Sequence, residues 1–248
     1  MLASLVTSVA PLRAQVEVRE AGTGATTCQG KNEPFCLNFV LDNIGDYVKP
    51  TLEHVELVVL SVLIGFVVAM ALAILSHGRR WLVPAFVGAT GVLYTIPSIA
   101  LFLLLLPITG RGTTTALIGL SLYTLQIIYR NANSGLANVS PATRDAGRGM
   151  GMTKRQLLWK VELPLAVPEI IAGVRIATVS TVAIATLAIF AGAGGLGEVI
   201  YNEGVQRNLF KTNIILASGI VIVMAIAFDG LLVLLQRYVS PWRKVRTI

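Results

Sequence analysis

Residues 55–75 read VELVVLSVLIGFVVAMALAIL, an apolar run broken by one acid, Glu56, near its start. Crossing a hydrocarbon core of about 30 Å takes roughly 20 mainly apolar residues in a helix. The run is long enough, and it has neither the alternation of a half-buried strand nor the one-sided pattern of a helix folded in water. Lipid leaves no unpaired backbone group satisfied, so the stretch must be helical. Residues 82–106, 113–129, 165–191 and 213–235 repeat the pattern. The third is the most polar because threonines open it. The second contains Pro84, Pro97 and Pro107, which should kink or end it. The expected fold class is therefore all-α: a polytopic membrane protein with about five transmembrane helices.

Composition agrees. Of the 248 residues 54% are hydrophobic and 13% charged, against about 25% charged in soluble domains. The net charge of +7 raises a nucleic-acid reading, since basic patches release phosphate counterions. The charges lie in short clusters between apolar runs, however, which suits a bilayer and not nucleic acid. Lys and Arg in short loops are retained on the cytoplasmic side. Placing the C-terminus inside gives that side Arg79 and Arg80, six basic residues from Arg130 to Lys160, and Arg237, Arg243, Lys244 and Arg246. The outer short loops hold Arg111, Arg207 and Lys211. The sequence thus divides into an extracytoplasmic tail, 1–54, whose end from Asn38 to Glu53 suits an interfacial helix; a transmembrane region, 55–235, with a long inside loop at 131–164; and a basic cytoplasmic tail, 236–248. The opening MLASLVTSVAPLRAQ lacks the basic start of a signal peptide. Cys28 and Cys36, both in the outer tail, are a candidate disulfide on an oxidising side.

The inside loop carries the most unusual sequence, SPATRDAGRGMGMTKRQLLWKVELP from Ser140 to Pro164. Ser140 is a good N-cap with Pro141 at the first helical position. Gly147, Gly149 and Gly151 should stop or bend that short helix. Thr153 with Gln156 forms a capping box that starts a second helix, which Pro164 is expected to interrupt.

The spacing resembles the cytoplasmic loop of binding-protein-dependent ABC permeases: Glu-Ala-Ala, three residues, Gly, nine residues, Ile-x-Leu-Pro. Asp145, Ala146 and Gly147 stand at the first three positions, Gly151 follows in register, and Val161, Glu162, Leu163 and Pro164 close the pattern. Asp replaces Glu, Gly replaces the second Ala and Val replaces Ile. The resemblance implies a type I ABC importer permease-like fold, with the short helix docking on a separate ATPase. It further implies two ATP-binding cassette subunits that use ATP and Mg, a second permease subunit, and an extracytoplasmic substrate-binding protein. No cofactor is expected on this chain itself. YTIPSIALFLLLLPITG (94–110) and ATLAIFAGAGGLGEVI (185–200) are similar to osmoprotectant permeases for glycine betaine, carnitine, choline or proline, while permeases for amino acids share such stretches. A quaternary ammonium would favour aromatic faces over a fixed anion, which makes Tyr94, Phe102 and Tyr123 candidates for the substrate pathway.

Other signals carry less. Gly192, Gly194, Gly195 and Gly197 imitate a dinucleotide fingerprint, yet they follow an apolar helix, not a strand, and suit a sharp turn. No Walker-type loop is present, so ATP hydrolysis falls to a partner. His54 and His77 flank the first span at opposite ends and have no second ligand at helical spacing, so neither a metal site nor an enzyme is expected. Asp229 lies inside the last run, where an acid suggests function. Pairing with the basic end that begins at Arg237 is expected, with a proton relay in a stand-alone secondary transporter as the rival.

Overall fold

The computed structural model describes residues 35–79, 81–206 and 209–240, and every regular element among them is helical. Helix α1 (Leu37–Asn43) passes through a 3-10 turn (Ile44–Tyr47) into α2 (Val48–Ser76). Then come α3 (Leu82–Thr95), α4 (Ser98–Thr109) and α5 (Thr113–Ala137). The short α6 (Pro141–Gly149) and α7 (Lys154–Leu157) lead through a π-helical turn (Leu158–Glu162) into α8 (Leu163–Ala185). A 3-10 stretch (Thr186–Ala191), the short α9 (Leu196–Glu198), a second π-helical segment (Val199–Val205) and α10 (Lys211–Val239) complete the described chain.

Three helical runs are long and apolar enough to cross a membrane: Leu37–Ser76, Lys154–Ala191 and Lys211–Val239. A fourth crossing is met by α3 and α4 together, bent by 97°. The remaining expected span, 113–129 within α5, has the length but not the apolar composition, and its place in the bundle explains why. It packs against α2, α3, α4 and α8, so its Thr115, Ser121, Thr124 and Gln126 are buried against protein. A helix surrounded by helices has no lipid face to cover.

Small residues let these helices approach. Gly65 of α2 lies so close to α5 that an added Cβ would collide with the Thr124 hydroxyl and stand 3.1 Å from the Ser121 carbonyl oxygen. Thr124 donates to Ser121 O at 2.8 Å and to Ser61 O at 3.3 Å, which anchors the seam.

The break expected within residues 82–106 falls at Pro97. Proline lacks an N–H and pushes the residue before it out of the helical region, so Ile96 is extended and Pro97 separates α3 from α4. The carbonyl freed at Ile96 accepts from the Tyr123 hydroxyl. Pro164 does not interrupt the helix from α7. The π-helical turn before it re-registers the hydrogen bonds that a proline would break, and the chain runs helically from Lys154 to Ala191. The approach to the first span is anchored to the last one. Tyr47 donates to Asn213 Oδ1 at 2.5 Å and the Cys36 N–H to Thr212 Oγ1 at 3.1 Å, both at the start of α10. Cys28 and the basic cluster 243–246 lie outside the described residues, and Cys36 is disulfide-bonded.

Replacing Gly65 by Ala is expected to cost about 1–3 kcal/mol through overpacking of the α2–α5 seam. Gly219→Ala, at a position with nothing within 4 Å, should leave stability unchanged. Thermal melting of the purified, detergent-solubilised protein measures both.

Candidate functional site

The segment from Ser140 to Pro164 forms two helices separated by a tight reversal. Ser140 caps α6 by accepting from the Thr143 N–H at 3.2 Å, with Pro141 where a helix needs no donor. At the other end the Met152 N–H donates to Gly147 O at 3.2 Å and the Gly151 N–H to Arg148 O at 2.9 Å. This closure requires a left-handed residue, and Gly151 supplies it at φ +77°. Thr153 and Gln156 then exchange both bonds of a capping box. Gly147 is buried where a Cβ would meet Leu157 Cδ1 at 2.6 Å. The glycine in place of alanine therefore lets α6 lie directly on α7. Leu157 is consumed in that internal contact, whereas Met150 is 71% exposed. Asp145, Ala146 and Gly151 are exposed too. The tip of the reversal is the part free to meet another protein.

Behind α6 lies a charge cluster that sequence reading missed. Glu162, its side chain only 4% exposed, accepts from Arg144 Nε on Oε1 at 2.6 Å, and His77 Nε2 lies 2.9 Å from its Oε2. Arg144 Nη2 also donates to Leu136 O at 2.6 Å. One carboxylate thus ties α6 to the last residues of α2 and α5 and to the approach to α8. Glu162 occupies the unspecified position of the Val-x-Leu-Pro pattern. An acid between two apolar residues, Val161 and Leu163, was the available signal. Val161 and Pro164 are half-buried and Leu163 is buried, so this end of the motif serves packing.

The aromatic candidates separate. Tyr94 and Tyr123 meet edge to face at 5.5 Å between centroids, with Tyr94 exposed. Phe102 is fully buried against Gly119, where a Cβ would stand 2.7 Å from its ring, so it does not join them. Asp229 does not pair with Arg237. Its carboxylate takes Nε and Nη2 of Arg175 at 2.8–3.0 Å. Arg175 went unnoticed inside an otherwise apolar run, although it was the nearer partner across a helix pair. His54 is buried and its Nε2 donates to Val182 O at 3.0 Å, and His77 is held by Glu162. Among the described residues no group of three His, Cys, Asp or Glu is placed to hold a metal. The glycine run is a turn with Gly192 at φ +85° and Gly195 at φ +96°, pinned by Glu53 Oε2, which accepts from the Gly195 N–H at 3.1 Å.

The described chain is a helical bundle whose short, capped α6 is tied to its long helices through the cluster at the buried Glu162. The chain belongs to the family of binding-protein-dependent transport system inner membrane components, which it matches over residues 61–245. It is 36% identical over 210 residues to the osmoprotectant import permease protein OsmW of Salmonella typhimurium, covering 83% of this chain and 97% of that protein. It is 38% identical over 212 residues to the choline transport system permease protein OpuBD of Bacillus subtilis, covering 85% and 89%. Among solved structures, an inward-facing MetNI methionine ABC transporter aligns with TM-score 0.67 at 22% identity, over 76% of this chain and 93% of that one. An amino acid ABC transporter aligns with TM-score 0.70 at 18% identity, over 80% and 96%. These neighbours establish the type I importer permease fold. The chain is an ABC importer permease subunit of a multi-pass inner-membrane type.

Removing one partner of a buried ion pair costs about 3–5 kcal/mol. Because Arg144 keeps 25% of its side chain exposed, Arg144→Met is expected to cost about 3 kcal/mol, the low end of that range. Lys154→Met, at an exposed position, should be neutral. Chemical denaturation of the purified subunit compares the two, and equal midpoints would remove the cluster from the account.

Proposed function

We propose that this subunit forms half of the membrane pathway of an ATP-driven importer for a small osmoprotectant such as glycine betaine, carnitine, choline or proline. The proposal places ATP and Mg on two separate ATP-binding cassette subunits. A second permease subunit, like or homologous, completes the pathway, and an extracytoplasmic binding protein delivers the solute. The N-terminus is extracytoplasmic and the C-terminus cytoplasmic, which puts 131–164 on the side of the ATPase. Asp145, Ala146, Gly147, Gly151, Val161, Leu163 and Pro164 form the coupling loop, Tyr94 and Tyr123 are candidate pathway residues, and Cys28 pairs with Cys36 outside.

The observation that carries this reading is the geometry of the loop. An exposed reversal at Gly151 and Met150 is backed by a carboxylate cluster reaching three spans, which is what transmission of a partner's movement needs. The osmoprotectant class rests on the relatives at 36% and 38% identity, whose names refer to osmoprotectant import and choline transport. The secondary-transporter alternative rested on Asp229 as a lone intramembrane acid, and Asp229 is instead paired with Arg175.

The test is uptake of radiolabelled glycine betaine and choline into proteoliposomes. The vesicles carry this subunit with its ATPase and binding-protein partners. Uptake should require ATP and the binding protein and survive dissipation of ion gradients. Uptake by this chain alone, driven by a sodium or proton gradient, would contradict the importer reading.

A further inference from the structure

The ion pair of Arg175 and Asp229 lies deep in the spans. From Leu163 to Arg175 helix α8 rises about 18 Å, and from Asp229 to Val239 helix α10 rises about 15 Å, at 1.5 Å per residue. On the span bounds 165–191 and 213–235, Arg175 is about 15 Å and Asp229 about 9 Å from the inner end, so both fall inside a hydrocarbon core of about 30 Å. The polar string continues along the groove: Arg175 Nη1 reaches Gln236 Oε1 at 3.5 Å, and Gln236 Nε2 donates to Pro168 O at 3.0 Å. Beside the pair is an open cavity of about 520 Å³ whose lining includes Ile176, Ser180 and Ile226.

This pair is not packed away. Arg175 and Asp229 keep 30% and 40% of their side chains exposed. Ionisable groups within a membrane face a bundle interior or a water-filled cavity and not lipid, since a charge at the centre costs about 2.5–3.5 kcal/mol or more. Arg175 cannot reach the headgroups while its guanidinium is turned onto Asp229. The contrast with α2 is direct, because that helix exposes Leu63, Ile64 and Val67, a surface lipid accepts. The groove between α8 and α10 is written for another environment.

We propose that this groove is the wall of the solute pathway, turned toward the second permease subunit, and that Arg175 and Asp229 line it for a small zwitterion or quaternary ammonium. The proposal rests on the importer reading above and assigns that reading a site. A pathway must bind its solute weakly enough to release it. The paired charges compensate each other, so neither traps an ion, yet their dipole offers a carboxylate the Arg175 side and an ammonium the Asp229 side. Ile176 and Ile226 present apolar surface to methyl groups.

The experiment uses the assembled, ATP-competent complex in membranes, with single substitutions Ile226→Cys and Ser180→Cys in the groove and Val67→Cys on α2 as the lipid-facing reference. The probe is a membrane-impermeant methanethiosulfonate carrying a trimethylammonium group, with the parent protein as background. Groove cysteines are expected to react about ten-fold faster than Val67→Cys, as water access requires, and excess transported solute should slow them. Groove cysteines that react no faster than Val67→Cys, in a complex that still imports with ATP, would overturn the proposal and leave the importer reading intact. Loss of ATP dependence in the parent complex would instead overturn the importer reading, and the proposal with it.

A second readout uses Asp229→Asn, which leaves the Arg175 charge uncompensated. Uptake of the cation choline should fall about ten-fold relative to zwitterionic glycine betaine, a difference of ~1.4 kcal/mol. An unchanged ratio would overturn the assignment of this pair.

Discussion

Hydrocarbon gives a polar group no partner, and that constraint orders the whole bundle. Many polar side chains of the spans are gathered onto α5 and its seams and find partners there. Thr90 donates to Gln126 Oε1, Tyr129 to Ser76 Oγ and Thr124 to Ser61 O. With these needs met internally, α2 and α10 can show Val67, Ile222 and Val223 outward. The same constraint makes an uncovered polar feature informative. Where polarity stays exposed within the spans, at Arg175 and Asp229, something other than lipid has to face it.

A second consequence concerns how movement can enter such a bundle. Lipid-facing apolar helices slide easily, so a force applied at one end must be gripped to be useful. The Glu162 carboxylate supplies that grip by joining α6, α2 and the approach to α8, while Arg144 extends it to the end of α5. The helical run from Lys154 to Ala191 then extends about 57 Å at 1.5 Å per residue. On the proposed coupling, displacement of α6 would tilt a continuous lever, which the π-helical turn at 158–162 keeps whole at Pro164.

Much of this was legible in the sequence because it depends on local chemistry. The apolar runs marked the spans, and Ser140, Pro141, Thr153 and Gln156 marked two helix starts that the backbone bears out. What escaped depends on contacts distant in sequence. Composition alone underrates α5, whose polarity reflects its neighbours and not exposure to water. Pro97 and Pro164 look alike as helix breakers, yet one ends a helix where Tyr123 is placed to receive the freed carbonyl, and the other is absorbed by a π-helical turn. Phe102 looked like a pathway aromatic until its cover by Gly119 was visible. Arg175 and Glu162 hid because a single charge in an apolar run declares nothing until its partner, 54 or 18 residues away, is placed beside it.

The central claim is that energy enters through the exposed tip of α6. Cross-linking from Met150→Cys, at a position 71% exposed, to a cysteine in the ATPase surface of the assembled complex tests it most directly. The account expects a disulfide-linked product of permease and ATPase, with ATP-driven uptake blocked while the bond is closed and restored on reduction. An intact, actively importing complex in which Met150→Cys forms no product with cysteines placed across the ATPase's membrane-facing surface would contradict it.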